Sequence, residues 1–103
     1  MELFTNLIYE CKKGMRDLAL YTCLKEDSAK YTDMLTRTNM EYSVINIGKG
    51  KVNIFFGKPE CLEIITTFSD TDLNKITSQE DFILGIMLGY SRDEQYSRLL
   101  SFC

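Results

Sequence analysis

The stretch from Val52 to Phe56 constrains the fold more than any other part of the chain. Val52, Ile54, Phe55 and Phe56 put apolar side chains on both sides of an extended backbone, because successive strand residues point to opposite faces. A strand that is apolar on both sides needs cover on both, so it belongs at the centre of a sheet. Tyr42, Val44, Ile45 and Ile47 make a second extended run, and Gly48-Lys49-Gly50-Lys51 lies between the two. Two strands joined by a glycine-rich tip form a β-hairpin. The same tetrapeptide does not suit a phosphate loop, which leads into a helix N-terminus, whereas this one leads into a strand.

A third extended run, Leu18 to Cys23, is short, mostly apolar and without a helical face, which predicts a buried strand. Between it and the hairpin, Tyr31, Met34, Leu35 and Thr38 share one helical face, with Asp27 or Ser28 as the cap and Asn39 as the stop. The resulting β-α-β-β unit places the third strand between the first and second, as in a split β-α-β arrangement.

The flanking segments read as helices. Leu3, Phe4, Leu7, Ile8 and Cys11 recur at helical spacing before Lys12, Lys13 and a terminating Gly14. Pro59 suits the first position of a helix through Leu62, Ile65 and Phe68, although the β-branched Ile64-Ile65-Thr66-Thr67 also fits a strand. Ser69 to Thr77 is a polar connection with a helical turn near Leu73 and Ile76. Ser78 with Asp81, and Ser91 with Glu94, read as capping boxes. They open one helix that runs to about Tyr90 and another through Tyr96, Leu99, Leu100 and Cys103. The expectation is a single α+β domain over residues 1–103. It has a three-stranded sheet with the third strand central, packed by about five helices that cover at least one face.

The chain has no histidine. That absence removes Ser-His-Asp and Cys-His nucleophiles, histidine bases and histidine metal ligands together. Cys11, Cys23, Cys61 and Cys103 show no C-x-x-C spacing, so they read as free thiols rather than zinc ligands. With 12 basic and 15 acidic residues the net charge is −3, which argues against a broad nucleic-acid or anionic-membrane surface. The longest apolar run, Phe82 to Leu88, is far shorter than the ~20 residues of a membrane-spanning helix. Met1-Glu2-Leu3-Phe4 lacks the positive start of a secretory leader. A cytoplasmic protein without membrane or nucleic-acid partners is expected, and no nucleotide, flavin or metal cofactor site is readable.

Three groups of residues stand out as candidate sites. Gly85 and Gly89 are four apart in the apolar segment Phe82 to Tyr90, so on one helix they would share a face that admits another backbone closely. That face either packs within the chain or, with Phe82, Ile86 and Tyr90, forms a two-fold dimer interface. Cys61 sits in the first turn of the helix that Pro59 opens. The positive helix end and Lys58 would favour a reactive thiolate there, Glu60 and Glu63 would oppose it, and the alternative is a small buried hydrophobe. Lys12, Lys13 and Arg16 surround Gly14, while Lys49, Lys51 and Lys58 flank the hairpin. If these cations converge they form a partner-docking patch, and if they do not they are ordinary solvated charge.

Three segments together resemble an uncharacterised bacterial family, a domain of unknown function. They are Ile8-Tyr9-Glu10-Cys11-Lys12-Lys13-Gly14-Met15-Arg16-Asp17-Leu18, Asn53-Ile54-Phe55-Phe56-Gly57, and Glu80-Asp81-Phe82-Ile83-Leu84-Gly85-Ile86-Met87-Leu88-Gly89-Tyr90. Gln95 and Arg98 are similar to the tail of that family. The resemblance implies three strands, five helices and a homodimer. Some members are encoded beside, or fused to, a flavodoxin, which implies a redox-partner context and supplies no catalytic residues. Related chains carry histidines just before Ile-Tyr-Glu, where this one has Asn6 and Leu7, so a role resting on those histidines cannot operate here. The functional expectation is a non-enzymatic binding or accessory module, partner to a flavodoxin-like electron carrier. The alternatives are a small thiol-dependent redox protein using Cys61 and a purely structural homodimer.

Overall fold

The computed structural model describes residues 2–102. In chain order it contains α1 (Glu2–Lys12), β1 (Leu18–Leu24), a 3₁₀ turn (Lys25–Asp27), α2 (Ser28–Arg37), β2 (Glu41–Gly48), β3 (Lys51–Gly57), α3 (Pro59–Thr66), α4 (Ser78–Met87) and α5 (Arg92–Ser101). The fold is α+β, and the sheet order is β1-β3-β2. β3 runs antiparallel to both neighbours, pairing Ile54 with Tyr21 on one side and with Val44 on the other. At the hairpin tip Lys49 and Gly50 both take positive φ, as a tight two-residue connection matched to strand twist requires.

β3 is central for the reason its composition suggests. Its side chains feed two separate apolar cores. Val52, Ile54 and Phe56, with Ala19, meet Phe4 and Ile8 of α1 and Tyr31 and Leu35 of α2. Phe55, with Leu18, meets Cys61, Leu62 and Ile65 of α3 and Leu84, Met87 and Leu88 at the end of α4. Helices therefore cover both faces of the sheet, and not one alone. In the first core Phe4 packs against Tyr21, Tyr31 and Phe56 at ring separations of 5.1, 4.8 and 5.1 Å.

Several local expectations are corrected. β1 is an edge strand in which only Leu18 and Ala19 are buried, because β3 flanks it on one side alone. Neither Asp27 nor Ser28 caps α2 with its side chain; the 3₁₀ turn leads into the helix, and Ser28 Oγ donates to Lys25 O at 2.7 Å. The helix expected from Pro59 does form, over Pro59–Thr66, so burial against the Phe55 core outweighs the strand propensity of its β-branched residues. Between α3 and α4 no helical turn forms; a single turn closes from Lys75 N to Asp72 O at 2.9 Å. The capping box of α4 is Thr77 with Glu80, one residue earlier than Ser78 with Asp81. Ser91 makes no side-chain cap for α5.

The end of α4 also departs from expectation. The helix stops at Met87, and Gly89 takes φ +83° beyond it. Gly89 N donates to Ile86 O at 3.1 Å and Tyr90 N to Gly85 O at 3.0 Å, which is a Schellman closure. Gly89 therefore ends the helix rather than lying within it. Cys103, expected on the last helix, lies outside the described residues.

Candidate functional site

The sheet sorts the predicted cations into two groups. Lys49 and Lys51 flank the hairpin tip, while Lys58 follows Gly57 at the far end of β3, about 20 Å away at ~3.3 Å per strand residue. Lys12, Lys13 and Arg16 lie towards the Gly57 end, since Lys58 N donates to Asp17 O and Leu18 pairs with Gly57. Arg16 is not free for docking. Its Nη1 donates to Leu88 O at 3.0 Å, and its Nη2 lies 2.8 Å from Glu10 Oε1, close enough to pair as charges but outside hydrogen-bond alignment. It thereby ties α1 to the negative end of α4. Lys12 donates to Thr38 O, Lys13 lies over the Tyr9 ring at 5.7 Å, and Lys58 pairs with Asp17 at 3.0 Å.

Cys61 is buried in the core beneath α3. Burial pushes its thiol up, Asp17 adds to this, and Lys58 opposes it without reversing it. The direction is opposite to the one a helix N-terminus alone implies, because the sulfur is packed against Phe55 and its neighbours rather than presented at the helix end. Burial likewise raises Cys11, to about 11, and Cys23. Among the described residues no group of three or more His, Cys, Asp or Glu could hold a metal ion. No described helix is long and apolar enough to cross a membrane.

α4 and α5 form an antiparallel helix pair. Arg98 grips Asp81 through two hydrogen bonds of 3.0 and 2.8 Å, and Phe82 stacks on Tyr96 at 6.1 Å. Gly85 is where the two helices meet. A Cβ there would overlap the Gln95 amide, which occupies the space the missing side chain leaves. Gly89 packs beside Arg16. The two glycines thus serve contacts within this chain, while Ile83, Ile86 and Tyr90 of the α4 segment and Tyr96 and Leu100 of α5 stay exposed.

A further feature was not foreseen. The polar connection 67–77 lies over the hairpin half of the sheet face that α3 and α4 leave uncovered. Three clefts of about 490, 310 and 410 Å³ open beneath and beside it, and Leu73 lines all three. Buried amides reach two of them. Asn53 is 5% exposed and lines the first cleft, and Gln95 is 2% exposed and lines the third. Thr22 Oγ1 donates to Asn53 Oδ1 at 2.6 Å. A buried amide escapes a cost of about 1–3 kcal/mol only where its hydrogen bonds are completed, so an amide at this position of β3 calls for polar partners. The signal was present in the sequence: one amide inside an otherwise apolar central strand.

A family model described as "Protein of unknown function (DUF2023)" matches residues 2–101. No curated protein matches the chain.

Proposed function

We propose, for a chain that belongs to the DUF2023 family of proteins of unknown function, that it is a non-enzymatic binding module. In this reading it acts as a homodimer in the bacterial cytoplasm and docks a flavodoxin-like electron carrier. The observation that carries the reading is the outer face of the α4–α5 pair. Ile83, Ile86, Tyr96 and Leu100 are all exposed on these two helices, Leu100 to 70%, and large exposed apolar side chains on one helix pair mark an interaction site. Asp81 and Arg98 are engaged with each other within the chain. An exposed apolar patch is matched by its own copy, and a two-fold axis would set the same residues against each other.

Sedimentation velocity tests the assembly. The wild type is expected to run as a dimer and Ile86→Glu as a monomer with an unchanged circular dichroism spectrum. A monomeric wild type overturns the proposal. Docking of the acidic carrier is supported by the family resemblance and by Lys12, Lys13 and Lys58 towards the Gly57 end, where electrostatic steering would act. Unlike Arg16, these three stay exposed despite their partners within the chain. A chemical-shift titration with a flavodoxin should move resonances around Lys13 and Lys58. No perturbation at high micromolar carrier removes this partner.

A further inference from the structure

We infer that the cleft between the hairpin half of the sheet and the 71–74 segment binds a small uncharged planar heterocycle with a nucleobase-like donor–acceptor edge. This inference stands apart from the dimer face, because it concerns the sheet and not the exposed side of α4 and α5. The cleft measures about 490 Å³, within the range of small-molecule sites. Its floor carries Asn53, nine-tenths buried, and Thr22 from the edge strand. Leu20, Ile47 and Leu73 supply apolar walls.

The Thr22–Asn53 bond defines what the floor offers. Thr22 donates to Asn53 Oδ1 at 2.6 Å, so the amide is oriented by its neighbour. That bond uses the amide oxygen and not Nδ2, on a residue that lines the cleft. An amide offers two donors and an acceptor in one plane, which matches the edge of a base or a nicotinamide. Apolar walls beside it accept ring faces. Other ligand classes fit less well. A phosphate needs converging cations or a helix N-terminus, and here the one cation, Lys49, is answered by Asp72 among the lining residues. A sugar favours an aromatic platform and many polar partners, and no aromatic side chain lines this cleft.

The test is a ¹⁵N chemical-shift titration of the full chain with uridine, adenosine and nicotinamide in separate runs, and with inorganic phosphate as a fourth. At least one of the three heterocycles is expected to shift the Asn53 side-chain amide and the backbone amides of Thr71 to Asn74 saturably at millimolar concentration or below. Asn53→Leu should weaken that binding at least tenfold, and Thr22→Val, a change at an exposed position, should weaken it less. Three results overturn the inference: no saturable shift with any heterocycle, phosphate binding the cleft in preference to them, or unchanged affinity in both variants. Should Asn53→Leu fail to fold, Thr22→Val and Asn74→Ala decide the matter by the same criterion.

Discussion

At the scale of single residues, packing decides between readings that spacing leaves open. Gly85 announces a close approach, because a mid-helix glycine otherwise costs about 1 kcal/mol relative to alanine. What approaches is Gln95, and sequence pattern hides it, since a glutamine does not register as core. Gln95 is 2% exposed, and its amide can vacate that space only by turning into the cleft it lines and giving up its packing against α4. Gly85→Ala should therefore destabilise the protein by about 1–3 kcal/mol in urea unfolding. Combined with Gln95→Ala, much of that loss should be recovered, a coupling that a double-mutant cycle reads directly. Additive losses would show that the two residues do not share one space. Cys61 makes the complementary point. Its position in a helix's first turn was legible and its burial against Phe55 was not. Because burial raises its thiol, the thiolate fraction at neutral pH falls below that of a free thiol. Cys61 should alkylate more slowly than a model peptide thiol at every pH up to 9. Reaction at the peptide's rate or faster would revive the thiol-dependent alternative.

At the scale of elements, the helix stops at Gly14 and Asn39 were legible, and the helix starts were legible only in part. The stop at Gly89 was not, because that glycine looks internal to an apolar run. Gly14, Asn39 and Gly89 all sit at positive φ just past a helix, and the residue types that tolerate such backbone are few. Asn39 is the one without the freedom of glycine. Its N–H donates to Thr36 O and that of Met40 to Leu35 O. Asn39→Gly should leave stability unchanged or raise it slightly, and Asn39→Ala should lower it by roughly 1 kcal/mol, measured by thermal unfolding. Helix starts depend on which side chain turns back, and neighbouring candidates compete. Glu80 wins over Asp81 because Asp81 is engaged by Arg98, while Glu80 can reach Thr77 and Ser69 together. Its carboxylate accepts from Ser69 Oγ at 2.6 Å, Ser69 N at 2.9 Å and Thr77 N at 3.0 Å. The hydrogen bond from the Ser69 hydroxyl, followed by that from the Thr77 backbone, lowers its pKa from 4.5. A carboxylate lowered in the folded state stabilises fully above its unfolded value and loses that effect as pH falls through the folded one. The 67–77 connection should thus stay fixed at pH 6 and loosen below about pH 4. Amide exchange at Ser69 and Thr77 should accelerate over that window in the wild type. In Glu80→Gln it should already be faster at pH 6 and show little further change. An identical pH profile in the two proteins would show that Glu80 is not the latch.

At the scale of the whole molecule, the sheet order followed from β3 alone, since a strand apolar on both sides has only one comfortable place. The second helical layer was harder to see, because α4 is closed by a glycine that looks internal and α5 buries Gln95 in place of an apolar residue. The uncovered half of the sheet was invisible for a related reason: where the 67–77 connection folds depends on Ser69 closing back onto Glu80 and on Leu73 meeting sheet residues distant in sequence. The two cores touch through β3, with Phe55 entering one and Ile54 and Phe56 the other. Neither layer can therefore lose its packing without stripping one side of the strand that the other needs. Leu62→Ala empties space only in the core beneath α3 and should cost about 2–5 kcal/mol, a large share of the ~5–15 kcal/mol that holds such domains together. If the sheet couples the layers, the urea midpoint seen by the Tyr31 ring, on the opposite face, should fall by the same amount as that seen by the Leu84 amide. A Tyr31 midpoint that stays at its wild-type value while Leu84 shifts would mean that the α1–α2 layer and the sheet persist without the other side. In that event the uncovered half of the sheet would be the border of a separately melting layer rather than a rigid floor.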